Sequence, residues 1–478
     1  MTWIFFVGLM ISLHGVSGLG GSPLLLPFFV YLPMIIFFMV FFFGQQLSFG
    51  LWSPSVWIDR LCIHQTDLEL KAEQIKSVPT FVARASRMLI LCDVSYFERL
   101  WCNLELGTFA RLGGVEKFDV LPLWLAPWLL CCMLLELLSA SLMDISQHVF
   151  PSWMTAWDSR VMGLAATLVG DNPTILKGIG WFVVCMISSL STLPASIPSF
   201  FSFRMKIRHH QLVLDQMADF DVRAANCSEP SDRSAIEKHL QEVFGEQDLP
   251  TLGSTVDEGE LIVQRFEADE DPLDRFNAYV RGVLRDIVMT QIGDEVHVAW
   301  PLCLITCLPM ILYASVDVLG CDYGSCEESA RTAGFSSTSL YLLCNTLVWA
   351  LGILLTFPLT YPVMLRMLKF VLSFGDGPMQ RFAAFLCCFL AYEYAYMCGG
   401  LIWGSLLPAV QDPSPTQLTV FLLVMLFLVL QGMCLFYRRE RQGQETVSSC
   451  RCVKRQVATY QSLDAVSALP PASNSPAT

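Results

Sequence analysis

Carboxylates set among apolar residues are the first groups in this 478-residue sequence that could do chemistry. Glu136 and Glu393 each fall inside a long apolar run, and an ionisable group in lipid is costly enough to mark an ion or proton path or an interhelical hydrogen bond. Asn345, Tyr392 and Tyr394 are the partners expected for such bonds. Asp317 sits near a run's end, within reach of water. Cys321 and Cys326 lie five apart and could close a local disulfide. Cys450 and Cys452, beside Arg451, Lys454 and Arg455 and close to the last apolar run, are candidates for palmitoylation against anionic lipid. Asp59 and His64 follow the end of a short apolar strand and could line a site. Cys62, Cys92 and Cys102 lack zinc spacing, so no metal is expected.

These groups need membrane helices to hold them. Charged residues are only 15% of the chain and hydrophobic ones 54%, against roughly 25% charged in a soluble domain. Runs at 22–43, 123–143, 178–203, 298–318, 338–365, 382–409 and 417–437 approach or exceed the ~20 residues a helix needs to cross a bilayer. The expectation is a mainly α-helical multi-pass membrane protein of about seven spans, with 1–17 left as a signal, a re-entrant piece or a further span. Lys and Arg cluster after 203, 365 and 437, whereas the alternate connections hold only Arg160, Lys177 and Arg331. The positive-inside rule then puts residues 44–122, 204–297 and the tail 438–478 in the cytosol. A net charge of −13 leaves no basic stripe for nucleic acid.

Residues 1–43 form the N-terminal hydrophobic region, 123–203 the next two spans with an outer loop, and 298–437 a four-span bundle. In 204–297, Pro230, Ser231 and Asp232 announce a helix to Phe244 with Ile236, Leu240, Val243 and Phe244 on one face. Asp271 and Pro272 announce another, with Leu273, Phe276, Val280, Leu284 and Ile287 in phase. The acidic stretch between them lacks the alternation of a calcium loop and reads as solvated. The tail, rich in Ser, Pro and Gln, cannot bury a core.

Segment 44–122 alternates strand and helix, as a small parallel α/β sheet does. Residues 56–58 form a short strand ending at Asp59, and 66–86 a helix with Thr66 and Glu69 as capping box, Leu70, Ile75 and Val78 toward the core, and Pro79 kinking or dividing it. Residues 88–92 form a second strand, Ser95 and Glu98 cap a helix running to Leu112, and 118–123 form the last strand. Trp101 and Glu105, four apart, share a face of that helix.

The strings "VWIDRLCIHQTD", "MLILCDVSYFERLWCNLEL" and "FDVLPLWL" resemble the middle of a TIR domain, over about 70 residues. Trp101, Cys102, Glu105 and Leu106 match its "WCxxEL" helix, and Ser95 and Tyr96 the turn before it. Trp57, Ile58, Asp59, Cys62, Ile63, Gln65 and Asp67 are similar to the "WIDxxCINQxD" opening of the fungal heterokaryon-incompatibility (HET) domain, with His64 in place of its Asn. With the segments "DFDVRAANCSEPSDR" and "FNAYVRGVL", the whole chain resembles a group of uncharacterised multi-pass proteins of unicellular algae.

The TIR resemblance implies signalling or scaffolding through protein partners or self-association, with no cofactor. In the NAD-cleaving members the glutamate of this helix is catalytic, which maps that role onto Glu105 and makes Asp59, His64, Ser95, Tyr96, Trp101 and Cys102 pocket candidates. A carboxylate there would stabilise oxocarbenium character as the nicotinamide bond breaks. Lipid-spanning sequence stands where that family has its first strand and "SFRG" turn. A third reading is transport of an ion or solute using Glu136 and Glu393.

Overall fold

The structure, a computed structural model, describes residues 27–49, 51, 56–58, 62–64, 66–113, 117–149, 160, 163–164, 167, 190–245, 271–320, 326–375, 377–411 and 413–437. The chain divides into two compact units. One comprises Met1–Ala72, Leu123–Leu212 and Gly293–Phe436; the other comprises Glu73–Pro122, Val213–Ile292 and Tyr437–Thr478.

The first unit is a multi-pass helical assembly. Phe28–Leu47, Leu125–Met143, Thr338–Leu372, Pro378–Gln411 and Pro415–Phe436 are each long and apolar enough to cross a membrane, and Trp300–Thr306 with Leu308–Val318 forms a pair bent by 56°. Six of the expected runs are therefore helical in place. The first part of the seventh, 178–189, lies outside the described residues. Its remainder enters a continuous helix, Leu193–Ala218, so the expected membrane boundary after residue 203 falls inside a helix. The bend at Cys307 precedes Pro309, which has no amide to continue the first helix's ladder and sits well in the opening turn of the second. Pro358 likewise accompanies a 3-10 turn, Phe357–Leu359, within Thr338–Leu372. The core gathers Trp128, Phe203, Tyr361, Leu365, Cys388 and Tyr392. On Pro415–Phe436 the leucines at 422, 423 and 426 face outward, as lipid contact demands.

In the second unit, α1 (Leu68–Arg84) leads to β1 (Met88–Cys92), α2 (Leu100–Gly113) and β2 (Phe118–Pro122). The two strands pair in parallel, Met88 with Phe118 through to Cys92 with Pro122. A parallel pair needs a crossover, and α2 supplies it. It buries Leu104, Leu106 and Phe109, the last meeting Phe118 edge-on at 5.1 Å.

Several local expectations are corrected. Asp67, not Thr66, caps α1, its Oδ1 accepting from the amides of Glu69 and Leu70 at 3.1 Å. The helix runs through Pro79, whose missing amide forfeits one backbone bond without dividing it. Val78 and Val82 are its buried residues, while Leu70 is exposed. Residues 56–58 form no strand. Ser95 does not open a helix: the Asp93 carboxylate takes both its amide (3.1 Å) and its hydroxyl (3.0 Å), making a turn, and α2 starts only at Leu100.

The second segment packs onto α2 through α3 (Arg233–Gly245) and α4 (Pro272–Tyr279), and it ends in α5 (Arg285–Ile292). Ile236, Leu240 and Phe244 of α3 are buried as their spacing implies. Asp271 caps α4 by accepting from the Leu273 amide at 3.1 Å. A π turn, Val280–Leu284, then inserts an extra residue, so the inward position in α5 passes from the expected Ile287 to Val288. The rest of the acidic stretch lies outside the described residues.

Residues 219–233 and 271–284 lock together. Arg223 pairs with Asp271 (2.7 Å) and Asp274 (2.6 Å), Asn277 donates to Asp221 (2.9 Å) and accepts from the Val222 amide (2.9 Å), and Arg281 donates to the Phe220 carbonyl (2.8 Å). Their residue types are thus explained by folding. Asn226 completes the join, bonding backbone to backbone with Glu98 and Leu100 in front of α2.

Candidate functional site

Tyr96, brought inward by the Asp93–Ser95 turn, lies at the centre of the residues singled out in the second unit. It is buried, and its hydroxyl has no hydrogen-bond partner among the described residues. Burial holds its pKa well above the usual tyrosine value, with Cys102, Glu105 and Cys92 near enough to add to the effect. The structure thereby brings Tyr96, Cys102 and Glu105 together. Cys92, inert by spacing alone, joins them.

Burial, helped by Asp93, pushes the Cys92 thiol up to about 12, so neither it nor Tyr96 is a nucleophile at neutral pH. Trp101, Cys102 and Glu105 are half-buried along one side of α2. Arg99 reaches Asp93 at 3.2 Å and stands 5.9 Å from the Tyr96 ring centroid. About one turn further along α2, Thr108 meets His239 of α3 at 3.2 Å, and burial lowers the pKa of that imidazole. His64 uses Nδ1 to accept the Asp67 amide at 3.0 Å, a structural task. Asp59 lies outside the described residues, as do Cys321, Cys450 and Cys452; Cys326 is disulfide-bonded.

The intramembrane carboxylates are both buried. Glu136 accepts from the Tyr361 hydroxyl at 3.0 Å, an interhelical bond with a partner that sequence spacing did not suggest. The expected partners turn elsewhere. Asn345 donates to Asp317 (3.1 Å), which also receives the Trp349 indole; Tyr392 pairs with Ser199 (3.4 Å) and Tyr394 with Gln431. Asp317 is held by side chains rather than left to water.

A third cluster, in the first unit, was not anticipated. Lys206, one of the basic residues that follow 203, is 1% exposed and donates to the backbone carbonyls of Glu295 (2.6 Å) and His297 (2.9 Å), with the Trp124 ring 5.3 Å away. One turn on, His210 lies 2.9 Å from the Gly293 carbonyl; a carbonyl only accepts, so Nε2 carries the proton, and the buried Nδ1 has no partner among the described residues. Gly293 has φ +83°, and a Cβ there would collide with the His297 ring. Glu295 spends its carboxylate on Lys369. An i, i+4 Lys–His pair carries no signature in a sequence, because what makes it special is the loop brought against it.

Burial, then Lys206, lower the His210 pKa to about 4, against roughly 6.5 in an unfolded chain. The unfolded state therefore binds this proton more tightly. The His210 contribution is complete above about pH 6.5 and is lost as pH falls towards 4, by up to about 3 kcal/mol. Thermal unfolding of the detergent-solubilised chain from pH 7.5 to 4.5 is expected to trace this loss, and a His210→Gln variant to flatten it. Equal slopes in the two proteins would refute the assignment.

No protein-family model, curated protein or solved structure matches this chain.

Proposed function

We propose that this is an integral membrane protein whose second unit is a TIR-like module acting at the cytosolic face in signalling or scaffolding, through contact with other polypeptides. The reading is supported above all by the outer face of the two-stranded sheet. Ile90, Cys92, Phe118 and Val120 are buried, whereas Leu89, Leu91 and Leu121 on the opposite face are 57%, 46% and 39% exposed. Three large aliphatic side chains side by side on a sheet are expensive to leave in water and are what a docking surface requires. The distribution of Lys and Arg supports the cytosolic side for residues 44–122, 204–297 and 438–478, and about seven spans in all.

Cross-linking in intact membranes with peptide mapping tests this. Inter-chain cross-links concentrated on residues 73–122 and 213–292 are expected; links confined to single chains would remove the reading.

The juxtaposition of Tyr96, Cys102 and Glu105 favours NAD cleavage as the second reading. Its acid, Glu105, would stabilise the ribosyl cation. Against it, no described strand pairs with the outer edge of β1 to build the other half of a nucleotide pocket. Purified wild-type chain and a Glu105→Ala variant are expected to leave NAD equally intact over hours; turnover in the wild type lost at least about 100-fold in the variant would reverse the order of the two readings.

A further inference from the structure

The two edges of the β1–β2 sheet are treated differently. Along β2, the side-chain amide of Gln291 behaves as a short third strand, donating to the Phe118 carbonyl (2.6 Å) and accepting from the Val120 amide (2.8 Å). That edge is closed, as exposed strands commonly are. Gln291 also reveals the phase of the ladder. Phe118 and Val120 turn their backbone groups outward, so Asp119 and Leu121 turn theirs towards β1. With Leu89 opposite Asp119 and Leu91 opposite Leu121, alternation leaves the amides and carbonyls of Leu89 and Leu91 directed away from β2. Among the described residues nothing hydrogen-bonds them.

β1 is also self-complementary. Turned end for end about Ile90, the strand sets Leu89 opposite Leu91 of a second copy, both with outward backbone groups, which makes four hydrogen bonds across a two-fold axis. The same operation sets Arg87 opposite Asp93. Arg87 has a side chain 65% exposed and Asp93 one 36% exposed, each at present in a surface ion pair, with Asp119 and Arg99 respectively. Charge of opposite sign thus meets at both ends of the pair, and two leucine pairs cover each other on the exposed face. An interface in which the same patch serves both partners closes as a dimer. Tethering in one bilayer raises the effective concentration that so small a contact needs.

Resting on the interaction reading above, we infer that the partner of this sheet is a second copy of the chain, joined by antiparallel pairing of β1 with β1 into a four-stranded sheet. Two differently tagged full-length copies, co-expressed and solubilised in mild detergent, are expected to co-purify. Arg87→Glu paired with itself, and Asp93→Lys paired with itself, set like charges opposite each other, and co-purification falls at least about fivefold. Arg87→Glu paired with Asp93→Lys restores opposite charges at both ends, and with them wild-type recovery. Leu89→Lys, an edge lysine that touches no buried contact, abolishes co-purification while leaving the melting curve unchanged. Arg87→Glu leaves the turn that Asp93 holds at Ser95 intact, so full co-purification of Arg87→Glu with itself, or full co-purification by Leu89→Lys, overturns the β1 interface. In that case the interaction reading survives if inter-chain cross-links still fall on this unit, and fails with it if they do not.

Discussion

Lys206→Met is expected to lower the melting temperature of the detergent-solubilised protein by about 5 °C, corresponding to roughly 4 kcal/mol. The ammonium is enclosed, and its two acceptors are backbone carbonyls of a loop that cannot turn them to water. Methionine reproduces the length of the stem but donates nothing, so two buried acceptors lose a charge-assisted bond, each at about 1–3 kcal/mol, with only part recovered from no longer burying a cation. Lys369→Met is the internal control. Its partner Glu295 is largely covered but Lys369 itself is half exposed, and removing such a pair costs less than about 1 kcal/mol. Unfolding followed by tryptophan fluorescence separates the two. If both variants melt within about 2 °C of each other, the buried cation is not what holds this loop.

Gly107→Leu is the second large effect, in the other unit. A Cβ on Gly107 would lie 2.6 Å from Leu240 Cδ2 and 3.3 Å from the rings of Phe244 and Phe276. Those side chains are themselves buried, so they have nowhere to retreat. Alanine at this position gains up to about 1 kcal/mol of helix propensity and loses about 1–3 kcal/mol to overpacking; leucine forces α3 and α4 off α2 at about 4 kcal/mol. Hydrogen exchange over residues 233–245 and 272–292 is expected to speed up in Gly107→Leu. Gly282→Ala, where an added Cβ meets nothing within 4 Å, should leave it unchanged. Wild-type protection in Gly107→Leu would mean that the second segment does not depend on packing against the "WCxxEL" helix. The same glycine gives a physical reason for the residue after Leu106 in this chain: a close helix approach.

Much of this molecule was legible in one dimension because bilayer crossing depends on a local sum. A run of about 20 apolar residues is stable as a helix in lipid whatever surrounds it, and so five spans and a bent pair stand where hydropathy puts them. The parallel strands and the joining helix were legible for a similar reason: 88–92 and 118–122 are short, apolar and separated by a helix of crossover length. Caps were less secure. Asp67 and Asp93 displaced Thr66 and Ser95 because several short polar side chains compete for the same amides, and only the path of the backbone decides the winner.

Partnerships between distant residues were not legible at all. Nothing in the spacing of Glu136 points 225 positions along to Tyr361, nor does Lys206 announce that the carbonyls of residues 295 and 297 will arrive above it. Such bonds depend on which helix faces which, a property of the whole packed arrangement. The same holds for the sheet. Composition made 88–92 a strand, but only the tertiary fold, by bringing Gln291 to one edge and burying one face beneath α2, left Leu89 and Leu91 with an open edge and an exposed surface. Residue types and their order determine which segments enter lipid and which fold as α/β; the side chains available to meet a partner are those that packing leaves unsatisfied.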